Sequence, residues 1–180
     1  MTAAAPGDPA LLGARSARLY ARYALAVDTG DLGALRAMVT DDVGVTRGEL
    51  PPTSGVEAFL DVYRAHVALR IPVCRHVVTN VLAEPAGDLI RTSAYFSATM
   101  FEEQGTRVVT GTYADDHVEH GGELLIAHKR ISVDRVVHLP AADSHFAHAG
   151  TPEPVELRRR GPGPGAASAA EDWSNNHAHD

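Results

Sequence analysis

Apolar positions recur every three or four residues through the first third of the chain and every second residue beyond it. That change of period separates a helical part from a strand-bearing part. After Asp8-Pro9, Leu12, Leu19, Tyr20, Tyr23 and Val27 share a helical stripe that stops at Thr29-Gly30, which predicts a first helix from Pro9. Asp31 is placed to cap a second helix over 32–39, with Leu32, Leu35, Met38 and Val39 on one side, ended by Asp41-Asp42. Residues 43–49 read as a short strand or an irregular segment before the break at Pro51-Pro52. Ser54-x-x-Glu57 has the form of a capping box and predicts a third helix to about Leu69, burying Val56, Phe59, Leu60, Tyr63 and Val67.

The period of two begins at Val73. The run 73–82, V-C-R-H-V-V-T-N-V-L, is rich in β-branched residues and bounded by Pro72 and Pro85. Strict alternation puts Cys74, His76, Val78, Asn80 and Leu82 on one face. Three more long strands follow over 89–102, 106–118 and 123–138, separated by Gly87-Asp88, Gln104-Gly105 and Gly121-Gly122. Helices first and a strand meander afterwards indicate an α+β fold, a curved antiparallel sheet covered by the N-terminal helices. The hollow of such a sheet is a natural small-molecule site.

Composition narrows the function. The 180 residues fit one domain with a lead over 1–8 and an extension over 141–180, whose G-P-G-P-G-A-A-S-A-A stretch predicts disorder from about Thr151; Trp173 is the one large aromatic there. A net charge of −7 gives no basic footprint for nucleic acid or an anionic membrane surface. No apolar run approaches the ~20 residues that span a bilayer, and the N-terminus has no basic region followed by an apolar core. With a single cysteine, Cys74, no intrachain disulfide forms, and a cytoplasmic protein is expected. No glycine-rich phosphate cradle occurs, so no cofactor is expected. His117-x-x-His120 and His145-x-x-His148 lack the carboxylate-and-histidine set of a known metal motif; no metal is expected, and Cys74 is read as packing.

The candidate chemistry centres on His76, set among apolar neighbours on its strand. An aspartate bonded to one imidazole nitrogen fixes the tautomer and leaves the other free to carry a proton. Asp28 near the end of the first helix is the candidate partner, against a local, solvated role. Asn80, on the same predicted face, and Tyr20, Tyr23, Tyr95 and Tyr113 are candidate substrate-binding donors; Arg130 is read as an ion-pair partner.

Several of these residues form an ordered series. Tyr20-x-x-Tyr23-x(4)-Asp28-x-x-Asp31-Leu32-x-x-Leu35, the helix around Phe59, Arg75-His76-x-x-x-Asn80, Gly111-x-Tyr113 and His128-Lys129-Arg130 follow one another between Leu12 and Val133. This series resembles the SnoaL-like branch of the NTF2-like superfamily. The resemblance implies a cone-shaped barrel over 9–140, pairing as a homodimer through the sheet, and an Asp28 and His76 pair like that of scytalone dehydratase-like enzymes. It departs from them at Ala98-Thr99-Met100, where their second histidine has no counterpart, and around Gly111 to Tyr113. The expected activity is cofactor-independent proton transfer (dehydration, isomerisation or cyclisation) on a small hydrophobic oxygenated substrate such as a polyketide. The alternative is a non-catalytic binding or accessory module of the same fold.

Overall fold

The computed structural model describes residues 8–140; the lead over 1–7 and the extension from 141, with its predicted disorder, Trp173 and His145-x-x-His148, lie outside the described residues. The order is α1 (Pro9–Thr29), α2 (Leu32–Arg36), β1 (Val39–Arg47), β2 (Thr53–Ser54), α3 (Val56–Ala68), β3 (Val73–Ala86), β4 (Leu89–Glu102), β5 (Gly105–Tyr113), β6 (Asp116–His120) and β7 (Glu123–Pro140).

The long helix begins and ends where its sequence dictates. The Asp8 carboxylate accepts from the Ala10 N–H at 2.9 Å, and Gly30 takes φ 68° while its N–H reaches the carbonyls of Ala26 and Val27. Asp31 then accepts from the Ala34 N–H at 2.8 Å and opens α2. The second helix stops at Arg36, short of the expected Val39. Met38 and Val39 are buried as predicted, but they lead into β1, where Val39 stands opposite Ile126 and the Ile126 N–H donates to the Met38 carbonyl. A short apolar run satisfies either period, and the sheet partner decides. The capping box does not form: Ser54 lies in β2, and Gly55, at φ 90°, occupies the cap position without a side-chain bond. Glu57 instead pairs with Arg64 at 2.8 Å.

The seven strands make one curved sheet in the order β2-β1-β7-β5-β4-β3, with β6 pairing β4 and β7. Every neighbouring pair is antiparallel except β1 and β7, which run parallel. The predicted strand over 106–118 divides into β5 and β6 because Ala114-Asp115 leaves the ladder and turns a carboxylate inward. Curvature needs Gly111: a Cβ there would meet the Ser132 carbonyl oxygen at 2.0 Å and the Phe96 ring at 2.6 Å. Its absence lets β5 shift register against β7 and lets Phe96 lie flat on Tyr113.

One irregularity on β3 changes which residues face inward. The pairing with β4 shifts between Thr79 and Leu82, and Asn80 sits at φ 55°. Asparagine tolerates this left-handed conformation better than most residues. Cys74 is buried before the bulge, whereas after it Ala83 is buried and Leu82 is 68% exposed. Leu82 and Asn80 therefore do not share the face of His76, because one bulge resets the alternation on which that expectation rested.

Candidate functional site

The C-terminal turn of α1 lies over the first half of β3, and the two meet at Asp28 and His76. Asp28 Oδ1 is 2.7 Å from His76 Nδ1. The backbone N–H of His76 also donates to both Asp28 oxygens, at 3.1 Å each. The carboxylate is thus pinned to the strand that carries the imidazole, and its orientation does not depend on the ring. With Nδ1–H directed at Asp28, the lone pair lies on Nε2. Among the described residues no group hydrogen-bonds to Nε2. Both side chains are about nine-tenths buried.

Two further groups border this pair. Cys74 Sγ lies 3.6 Å from His76 Nδ1, and burial, with Asp28 beside it, pushes the thiol pKa up to about 11. His66, from α3, meets the His76 ring edge-on at a centroid distance of 6.0 Å. Its pKa is lowered, first by burial and then by His76 and Arg107. At the same end of the sheet, a groove of about 560 Å³ opens between Leu69–Pro72 and the β4–β5 turn, with Arg107 and Glu102 on its wall.

A second polar cluster fills the cone further along. Lys129 is fully buried; its Nζ donates to Asp115 Oδ2 at 2.7 Å and lies 3.0 Å above the centre of the Tyr113 ring. Asp115 also accepts from the Tyr20 hydroxyl at 2.9 Å and from the Arg130 N–H at 2.8 Å. Burial lowers the Lys129 pKa to about 8, opposed by Asp115. The Tyr23 and Tyr63 hydroxyls bond each other at 2.8 Å. Tyr20, Tyr23, Tyr63 and Tyr113 all have pKa values raised well above the ordinary tyrosine range, chiefly by burial. His117, bonded to Ser16 at 3.2 Å, has its pKa lowered to about 4 by burial.

The structure accordingly brings Asp28 and His76 together and gathers Tyr20, Tyr23 and Tyr113 into a packed interior. Asn80 and Tyr95 are exposed, Tyr95 on the outward-alternating positions of β4. Arg130 pairs with Asp116 at 2.7 Å, as read from the sequence. Lys129, Asp115, Tyr63 and His66 are not among the site residues expected from the sequence, where Tyr63 reads only as a buried helix position and Lys129 only as part of the His128-Lys129-Arg130 motif. Lys129 sits inside a motif with Arg130, and strand alternation alone would have set the two on opposite faces. Nothing in the sequence pairs Lys129 with Asp115, since the break between β5 and β6 that turns Asp115 inward carries no glycine or proline.

The family described as "SnoaL-like domain" matches residues 16–130. Solved structures with similar folds include a candidate scytalone dehydratase from Novosphingobium aromaticivorans, 14% identical with a TM-score of 0.64 over 72% of this chain and 88% of that one. The type 3 hexachlorocyclohexane dehydrochlorinase LinA from Novosphingobium barchaimii is 21% identical, with a TM-score of 0.61 over 77% and 97%. A protein of unknown function from Mycobacterium tuberculosis is 27% identical, with a TM-score of 0.61 over 69% and 72%. No curated protein matches the chain in sequence.

Proposed function

The chain belongs to the SnoaL-like domain family, and from that premise we propose that it is a cofactor-independent proton-transfer enzyme whose general base is His76, oriented by Asp28. The observation that carries the reading is the 2.7 Å contact from Asp28 to Nδ1, with Nε2 unbonded among the described residues. A carboxylate in this position holds the tautomer and stabilises the imidazolium after it takes a proton.

The reaction class follows from what one base can do beside an apolar wall. Nε2 removes a proton from carbon next to an electron-withdrawing group, and the electron pair expels a leaving group or moves to the neighbouring atom. The first outcome is an elimination such as dehydration; the second is isomerisation or cyclisation. Two of the similar structures carry names that denote loss of a small molecule from a substrate, water in one and hydrogen chloride in the other. Ala98, Met100 and Ile71 pack with Cys74 and make the surroundings of the pair apolar, which suits a small hydrophobic oxygenated substrate. His66 is a neighbouring imidazole whose pKa burial lowers.

The test uses the full chain and small ketones in deuterated water, with wash-in of deuterium next to the carbonyl followed by NMR. Wild-type protein exchanges the proton; His76→Ala loses about 10²- to 10⁴-fold of the rate, and Asp28→Asn loses most of it. Exchange that survives His76→Ala unchanged refutes the proposal and leaves a non-catalytic binding module of the same fold.

A further inference from the structure

The environment of His76 Nδ1 contains more than the dyad uses. Asp28, Cys74 and His76 each offer one ligand atom, and these three atoms lie within 4.8 Å of one another. They are a carboxylate oxygen, a sulfur and an imidazole nitrogen, the ligand types that together select a borderline divalent cation of the zinc class over magnesium or calcium. Cys74 and His76 stand two apart on one face of a paired strand, and Asp28 is tied to that strand through the His76 N–H. The set therefore needs no loop to close around an ion.

Distances support this use. Metal bonds of about 2.3 Å to sulfur and about 2.0–2.1 Å to nitrogen or oxygen, at tetrahedral angles, separate sulfur from nitrogen by about 3.5 Å. The observed Cys74 Sγ to His76 Nδ1 distance is 3.6 Å. The Asp28 oxygen, 2.7 Å from Nδ1, has to retreat by about half an ångström to reach its own tetrahedral edge.

We propose that Asp28, Cys74 and His76 form a binding site for a zinc-class divalent cation, and that occupancy switches the base off. The second half rests on the proton-transfer reading above; the first does not. The ion takes Nδ1, so the proton held there toward Asp28 moves to Nε2, the nitrogen that must be free to accept one. The thiol loses its proton to solvent and binds as thiolate. One proton is released per ion, no redox change occurs, and the imidazole stays neutral with its two nitrogens exchanged in role. A fourth coordination position is left for water. This set shows no spaced histidine pair in the sequence, because Asp28 comes from a helix distant from Cys74 and His76.

The test titrates the full chain with Co²⁺ and with Zn²⁺. One equivalent of Co²⁺ is expected to bring up a thiolate-to-metal absorption band, and Cys74→Ser to abolish it and weaken binding by tenfold or more. The other nine of the chain's ten histidines bind through nitrogen and give no sulfur band. In ¹⁵N spectra of the wild type, saturating Zn²⁺ moves the His76 proton from Nδ1 to Nε2, a readout independent of how the variant folds. Absence of the band at one equivalent, or a proton that stays on Nδ1, overturns the proposal. Deuterium exchange is run in parallel with a chelator present. Wild type is inhibited by Zn²⁺ and recovers with chelator, whereas in Cys74→Ser, whatever its own basal rate, adding Zn²⁺ or chelator changes that rate by less than twofold. Exchange with chelator but no sulfur band sinks the metal site alone; a sulfur band with no exchange under any condition sinks the catalytic reading alone.

Discussion

Two carboxylate pairs of opposite character lie within this fold, Asp28 with His76 and Asp115 with Lys129. Each joins a carboxylate to a basic group at 2.7 Å. They differ in how many of their hydrogen-bonding positions are used. Asp115 accepts from Lys129, Tyr20 and the Arg130 N–H, and the Lys129 ammonium is roofed by the Tyr113 ring with no exposure at all. The pair at β3 retains a nitrogen with no partner among the described residues. Saturated bonding marks a structural pair, and a spare lone pair is what the proposed base requires.

The contrast can be broken in order of size. Replacing Lys129 with Met leaves Asp115 charged and unpaired in the core, at a cost of about 3–5 kcal/mol. Urea denaturation measures it, and Lys129→Met combined with Asp115→Asn should recover part of the loss. Acid addresses the same region through His117. Its folded pKa, about 4, lies below the ordinary ~6.5, so the unfolded chain binds the proton first. The stability it contributes is complete above about pH 6.5 and falls away as the pH drops toward 4, on the order of 3 kcal/mol in all. His117→Leu flattens that slope, which denaturation at pH 7 and pH 4.5 detects.

Smaller effects belong to β3. Asn80→Val forces a β-branched residue to φ 55° and costs about 1–2 kcal/mol, whereas Asn80→Gly costs a few tenths. His76→Ala should cost about 1 kcal/mol, far less than removing Lys129, because Asp28 keeps both bonds from the backbone N–H. Thermal unfolding then separates the two pairs: removing Lys129 shifts the midpoint strongly, and removing His76 moves it far less.

Legibility followed the same division. Asp28 and His76 could be read because each lies on an element with an unbroken period, one near a helix end fixed by Gly30 and the other four residues before the bulge on β3. Asn80 and Leu82 could not, since the shift that turns them outward arises from pairing with β4 and leaves no mark but the asparagine itself. The helix stripe containing Tyr20 and Tyr23 was plain, yet it carries no sign that their hydroxyls would meet Asp115 and Tyr63 from distant segments. Ser54-x-x-Glu57 had the right spacing for a cap and lost to Gly55, whose N–H is committed to the Val43 carbonyl on β1.

The parallel pairing of β1 with β7 bears on how the chain reaches this state. Val39 stands opposite Ile126 and Arg47 opposite Ile131, so the first long strand, whose other edge pairs only with the two-residue β2, finds its long partner only when the last has been synthesised. The β3–β4–β5 meander closes through local turns, while β1 must wait with Val39, Val43 and Val45 unprotected. Long-range pairing of this kind slows folding and prolongs the exposure of apolar surface. A nascent chain is most open to aggregation, and most in need of a chaperone, during the interval between the emergence of β1 and the arrival of β7.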